Sequence, residues 1–292
     1  MSKVAILIDS EFGLTEKQAR EEGYYFVPIL VEWNGKQMKS GVDATLDFIY
    51  ENLNANTEFK TAAPTIGSIE KEYRRALKNN DHVYVICISK HLSSAYNVFT
   101  LVANDDEFKG KVTVYESEFI GPWALFHRKK LIEMSKAGAI PEEFTKLLDR
   151  QRGNMFAWLF PGSLERVYAS GRLSKAQYMA GNLLKITPVM PIINGRIDQG
   201  GTVKTRSVEK AIKAVVSKTV AKYNELKEKG IKCKILFTSL GDPETNENVK
   251  ILIKTFLEKG FDDISITWLP PGILGHVGVG GVGSGVVVDF EE

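Results

Sequence analysis

The sequence predicts an α/β protein built as two domains. Three observations predict it. Short, continuously apolar runs alternate with amphipathic helical patterns through the first half, the rhythm of βαβ units around a parallel sheet covered on both faces. A second series of strand and helix patterns starts near Gly153. No repeat or low-complexity linker separates the two series, so the soft boundary at about residue 155 divides the chain into 1–155 and 156–292 as packed domains.

The elements follow in order. "VAILID" (Val4 to Asp9), "HVYVICIS" (His82 to Ser89) and "KVTVYES" (Lys111 to Ser117) are apolar enough to be buried strands. Helical patterns span Thr15 to Glu22, Thr45 to Leu53, Gly67 to Asn79, Ser93 to Asn104 and Ile120 to Ala137. "YFVPILVEWNGKQ" is different, because Asn34-Gly35 is a hairpin signal: both central positions of a tight turn need positive φ. In the second half, Pro141 opens a helix and "NMFAWLFP" reads as a strand with a proline stop. Two short helices follow, then a strand at Val189 to Ile193, a turn at "NGR" and a long helix from Val208 to Lys229. "CKILFTS", a helix from Glu244 to Lys259 and "DISITWLP" complete the series, and "VVVDF" (Val286 to Phe290) reads as a last strand.

Composition narrows the function. With 43% hydrophobic and 25% charged residues in 292, the chain can bury a large core. A net charge of +2 gives no bias toward nucleic acid or an anionic membrane. Cys87 and Cys233 stand apart in apolar runs, as buried thiols of a reducing compartment do. "MSKVAILIDS" lacks the apolar stretch of a signal peptide, and no apolar run reaches the roughly 18 residues of a membrane span. A cytoplasmic location is expected.

The run "GILGHVGVGGVGSG", Gly272 to Gly285, holds seven glycines and His276 and reads as a loop. Gly278, Gly280 and Gly283 fit G-x-G-x-x-G, but dinucleotide binding needs a helix and an acidic residue about 20 positions further on. Only nine residues follow Gly283. Small polar residues close several strands: Asp9-Ser10 after the first, Ser89 with Ser93-Ser94 after the second, and Lys60-Thr61 before "AAPT". Each could be a helix cap, which is the favoured reading for Ser10 or Thr65 taken singly. Gathered at one sheet edge, hydroxyls and free amides would instead seat an anion. No G-x-S-x-G elbow is present, and His82, His91 and His127 lack metal-ligand spacing to another His or Cys.

The segments "KTAAPT" around Thr61, "ISKHLSSAYN" around Ser93, "LERVYASGRLSKAQ" around Arg172, "LLKITPVMPIINGRI", "GTVKTRSVEKAI" around Arg206 and "GHVGVGG" at His276 occur in an order and spacing that resembles the DegV family of bacterial fatty-acid-binding proteins. The similarity covers nearly the whole chain. It implies an N-terminal three-layer parallel-sheet domain and a C-terminal two-layer mixed-sheet domain that hold one long-chain fatty acid between them. It further implies a carrier role in a fatty acid kinase system: a separate ATP-binding subunit phosphorylates the carboxylate, and the acyl phosphate feeds phospholipid synthesis. On this resemblance Thr61, Ser93 and His276 bind the carboxylate, and Arg172 and Arg206 belong to the mouth of the site and to docking with the kinase. The fatty acid is the bound ligand, with no further cofactor and no metal. A monomer with transient membrane contact for lipid exchange fits that role.

Departures from the family pattern fall at Ala62, Ala63 and Thr65, at Ser94 and Ala95, at Glu11 and Phe12 after Asp9-Ser10, at Val279, and in "YESEFIGPW", which adds Phe119 and Trp123. They leave the anchors in place and bear on the shape of the acyl tunnel. Physical chemistry supports such a ligand: a buried carboxylate needs hydrogen-bond donors, and an acyl chain of about 16 carbons could contribute roughly 10 kcal/mol before ordering costs. The alternative is an enzyme, a phosphotransferase or hydrolase of a small carboxylic acid, with His276 as base or nucleophile.

Overall fold

The computed structural model describes residues 3–288 apart from 177, 180–185, 199, 240–243, 245 and 264. It divides into two compact units. The first comprises Met1–Ile49, Ala55–Arg152 and Pro270–Gly272; the second comprises Tyr50–Asn54, Gly153–Leu269 and Ile273–Glu292.

In the first unit, β1 (Val4–Asp9), β2 (Tyr25–Val27), β6 (His82–Ile86) and β7 (Val112–Tyr115) form a wholly parallel sheet in the order β2-β1-β6-β7. Every residue of β1 is buried, as a strand covered on both faces must be. The helices Glu16–Glu22, Ile66–Leu77, Ala95–Ala103 and Arg128–Lys136 pack against this sheet. β1 has β2 on one side and β6 on the other, so the strand order reverses at the β1/β6 pair. In open α/β sheets the crevice outside the carboxyl ends of such a pair is where ligands bind. A second, antiparallel sheet has the order β4-β3-β5, with β3 Leu30–Trp33, β4 Lys36–Lys39 and β5 Phe59–Ala62. Its hairpin turns at Asn34 (φ 48°) and Gly35 (φ 76°), the positive pair that the Asn-Gly signal predicts.

In the second unit, β8 (Phe156–Phe160), β9 (Thr187–Ile193), β10 (Arg196–Ile197), β12 (Cys233–Ser239), β13 (Ser265–Trp268) and β14 (Val282–Val288) run in the order β10-β9-β8-β14-β12-β13, with β11 (Val203–Thr205) also paired to β9. All pairs are antiparallel except β12 with β13, so the sheet is mixed. Ala211, Ile212, Val215 and Val216 of the long helix Val208–Glu228 and Val249, Leu252 and Phe256 of the helix Glu247–Leu257 pack with Trp158, Phe160, Phe237 and Val282 into one apolar core.

Three details differ from the sequence reading, and two of its elements fall partly outside the described residues. The pattern over Ile120 to Ala137 is two helices, Pro122–Leu125 and Arg128–Lys136, broken at Phe126-His127. Tyr24 donates its hydroxyl proton to the Arg128 carbonyl there, and His127 is buried. The helix expected from Glu244 begins at Glu247, because Asn246 caps it by accepting a hydrogen bond from the Asn248 amide at 2.9 Å. The second of the two short helices expected after β8 runs into 177 and 180–185, which lie outside the described residues, as does Asp289-Phe290 of the last strand. Finally, the glycine-rich run is not a loop. Pro271–Val277 is helical, Gly278 (φ 77°) and Gly280 (φ 87°) form the turn, and β14 already begins at Val282.

Candidate functional site

The carboxyl ends of β1 and β6 are tied by Asp9. Its Oδ2 accepts from the Ile88 amide and its Oδ1 from the Glu11 amide, each at 2.9 Å. Ser10, which capping was favoured to explain, caps nothing: its Oγ accepts from the Ile29 amide at 3.1 Å and donates to Glu11 Oε1 at 3.1 Å. Ser40 donates to the same carboxylate oxygen at 3.0 Å. Asp9 and Glu11 are both buried, and burial, followed by the Glu11 charge, pushes the Asp9 carboxyl up to about 8 against the pull of its backbone amides. Gly272 lies on this pair; a Cβ there would stand 2.5 Å from Glu11 Oε1.

Ser93 follows β6 at the same end of the sheet. Its amide donates to the Ser89 carbonyl at 3.2 Å, and its half-buried Oγ accepts from the Ala95 amide at 3.2 Å. The hydroxyl therefore opens the helix Ala95–Ala103 and still has a proton to donate. Thr61 stands in β5 opposite Val31, half-buried. Thr65 is a plain cap, accepting from the Ser68 amide at 3.2 Å. Phe119 and Trp123, the aromatic additions of "YESEFIGPW", are buried in this unit. His91 lies with Glu116 and Glu118 so that one ligand atom of each falls within 4.8 Å of the others, a proximity that spacing along the chain did not reveal. Lys90 at 2.7 Å and Arg152 at 3.6 Å pair with Glu116 there.

In the second unit, His276 sits in the last turn of the helix Pro271–Val277. That turn is held by unusually close backbone packing. The Ser163 amide donates to the Val277 carbonyl at 3.0 Å, and a Cβ on Gly162 would fall 2.0 Å from the Val279 carbonyl oxygen. A Cβ on Gly278 would fall 3.0 Å from Ser163 Cβ and 3.5 Å from Arg166 Cδ. Glycine at 162 and 278 is what lets this turn lie on the start of the helix Leu164–Ala169, which Ser163 caps. The packing brings Arg166 against the turn that carries His276. Burial first, then the charges of Arg172 and Arg166, hold the imidazole down at about 3, so it is neutral at physiological pH and offers one N–H donor. Arg166 donates to the Asn54 carbonyl and Arg172 to the Ser170 carbonyl. Burial lowers the pKa of both guanidiniums. Tyr168 and Tyr178 stack at 4.5 Å and 6° on either side of Arg172 in the chain. Arg206 is exposed, between β11 and Ser207, the cap of the long helix.

The structure thus gathers His276 and Arg172, places Thr61 and Ser93 on separate elements of the other unit, and sets Arg206 on an exposed turn. Sequence reasoning missed Arg166, two residues into "LERVYASGRLSKAQ", and Glu11.

A unit built on a parallel sheet, with polar groups at its switch point, and a unit built on a mixed sheet define a two-unit α/β protein. The chain belongs to the DegV family: the model described as "Uncharacterised protein, DegV family" matches residues 3–289. A DegV domain-containing protein of Mycoplasmopsis pulmonis is 28% identical over 98% of this chain and 95% of its own length. Among solved structures, a DegV family protein from Thermus thermophilus superposes with a TM-score of 0.79 at 24% identity, covering 98% of this chain and all of that one. A protein from Thermotoga maritima described as revealing a fatty acid binding function reaches 0.73 at 25% identity, covering 99% and 100%.

Proposed function

We propose that this chain binds one long-chain fatty acid and presents its carboxylate to a separate ATP-binding kinase subunit, with no catalysis of its own. The observation that carries the reading is His276: a half-buried neutral imidazole beside Arg172 and Arg166, which is a hydrogen-bond donor set in positive potential, as an anionic head group requires. Membership of the family and the fatty acid binding of the Thermotoga maritima relative support the choice of ligand. Thr61 and Ser93 supply hydroxyl donors for the carboxylate, and Arg206 meets the kinase. An enzyme using His276 as base is disfavoured, because a group titrating at about 3 is a weak base at neutral pH.

The test is direct. Protein purified without added lipid carries about one fatty acid by native mass spectrometry. Thr61→Ala and Ser93→Ala each weaken oleate binding about ten- to a hundredfold, the loss of one hydrogen bond to a charged group. A double variant that folds and binds oleate as tightly as the parent would refute the assignment of these two hydroxyls, and protein that stays free of palmitate and oleate would refute the reading itself.

A further inference from the structure

We propose that Glu11 is a specificity-determining residue: with Asp9 it forms a buried carboxyl pair that holds one proton at neutral pH, and an anion binds at this end of the sheet more tightly while that proton is in place. The first half concerns the free chain. The second rests on the function proposed above, with the fatty acid carboxylate as the anion.

Asp9 is fully buried and Glu11 is 3% exposed, two residues apart where β1 ends. Two carboxylates taken out of water at one place lose hydration and repel each other, so one of them tends to keep a proton. The groups around Asp9 are neutral. Val27 of β2 stands opposite it, and the amides of Ile88 and Glu11 donate to its oxygens. Cys87, after β6, is a thiol held well above its ordinary range by burial and then by Asp9 itself. Phe12 stacks at 5.7 Å on Tyr24, a phenol that burial keeps protonated. At Glu11, the hydroxyls of Ser10 and Ser40 donate to Oε1. Pro270–Gly272, a segment of the same unit, brings no ionisable side chain and comes so near that a Cβ on Gly272 would fall 2.5 Å from Oε1. The backbone amides favour an ionised Asp9. Burial, and after it the Glu11 charge, outweighs them and pushes Asp9 up to about 8. The two carboxyls titrate as one unit.

Asp9 is also tied to the proposed head-group position. Its Oδ2 holds the Ile88 amide, and the carbonyl of the next residue, Ser89, accepts from the Ser93 amide at 3.2 Å. The loop that carries the Ser93 hydroxyl is thus anchored on the carboxyl that titrates. An arriving carboxylate adds a negative charge at this edge, where burial weakens screening. Below about pH 8 it meets one negative charge on the pair, and above that it meets two. The bound anion raises the pKa of the pair further, so binding near pH 8 takes up a proton and affinity falls as pH rises. His276, held at about 3, does not titrate in this range.

The experiment uses the full chain and has two readouts. In lipid-free protein, the side-chain carboxyl carbons are followed by NMR from about pH 5 to 9.5, with Asp9 assigned through Asp9→Asn or its backbone connectivity. The parent should show an Asp9 step near pH 8, and Glu11→Gln should move it to lower pH. Oleate affinity is then measured by calorimetry at pH 6.5 and pH 9. The parent should weaken about tenfold more than Glu11→Gln over this interval, the equivalent of one pKa unit. Comparing the two proteins removes any titration of oleate itself. At pH 8 the heat of binding to the parent should depend on the ionisation enthalpy of the buffer, phosphate against Tris, as proton uptake requires; that of Glu11→Gln should not. An Asp9 carboxyl ionised throughout the range overturns the proposal, as does equal pH dependence in parent and variant. If Glu11→Gln does not fold, the Asp9 titration and the buffer dependence of the parent decide. A parent that binds no oleate at any pH refutes the fatty acid reading and the linkage with it, while the Asp9 step still reports the proton.

Discussion

Glu11 is a residue whose meaning lies entirely in its surroundings. Burying a carboxylate is costly, and here Ser10 and Ser40 donate to one oxygen while burial, and after it the Glu11 charge, pushes the neighbouring Asp9 up to about 8. The folded-state value of Asp9 lies above its unfolded value near 4, so the folded protein holds a proton that the unfolded chain has released between those limits. The associated stability is fully present below about pH 4 and is lost as pH rises toward 8. Glu11→Gln keeps an acceptor for both serines and removes the charge that repels an ionised Asp9. Urea unfolding at pH 5 and pH 8 should show the parent losing stability over this interval and Glu11→Gln losing less. Equal losses would mean that Glu11 does not perturb Asp9. His276 has the opposite sign. Its folded value of about 3 lies below the unfolded 6.5, so its share of stability is present above pH 6.5 and declines as pH falls toward 3.

At the scale of elements, the two Asn-Gly turns repeat one device. Asn34 donates its amide to the Glu58 carbonyl at 2.9 Å and accepts from the Glu58 amide through Oδ1 at 2.8 Å. Asn194 does the same with Met155, at 3.0 and 3.1 Å. Each asparagine has φ of 48° and each is followed by a glycine of positive φ. The side chain thus clips a hairpin to a neighbouring segment while the backbone makes the turn. Asn194→Ala loses the clip and puts a Cβ without a compensating polar group in the left-handed region, at a cost of about 2 kcal/mol. Asn194→Gly should recover about 1 kcal/mol of that. Denaturant midpoints of the three proteins measure both numbers, and an alanine variant as stable as the parent would remove the clip as a stabilising element. The sequence signal "NG" located both turns; the partners Glu58 and Met155, at distances of 24 and 39 residues along the chain, were outside its reach.

For the whole molecule, a ligand that binds only the folded chain must raise its stability by mass action. At a free oleate concentration a hundred times its Kd the gain is about 2.7 kcal/mol. Thermal unfolding monitored by circular dichroism should therefore shift upward with oleate in a saturating, concentration-dependent way, and Ser93→Ala should need more oleate for the same shift. An unchanged midpoint at saturating oleate would count against the proposed ligand. No helix among the described residues is long and apolar enough to cross a membrane.

What the sequence determined by itself was the set of elements whose cause is local. Continuous apolar runs became β1 and β6, the central strands buried on both faces, whereas β7, expected to be buried, lies at the sheet edge with three of its four residues half-buried. The Asn-Gly pairs made the hairpins and Pro141 opened its helix, because each needs a backbone geometry that a few residue types supply. The order of motifs placed the chain in its family. What only the tertiary structure decided was every feature that depends on contacts between distant segments. A run of glycines looked like a loop, yet it became helix, turn and strand. β8 and β12 supply the ladder for Val282–Val288, and Ser163 supplies the close surface that only glycine can approach. Arg166 carried no mark in the sequence, since an arginine in a short helix is ordinarily solvated. Its nearness to His276 exists because two tight turns over 110 residues apart pack backbone against backbone. The neutral state of His276 was likewise beyond the sequence, because a pKa follows from burial and neighbouring charge, and both arise only when the chain has folded.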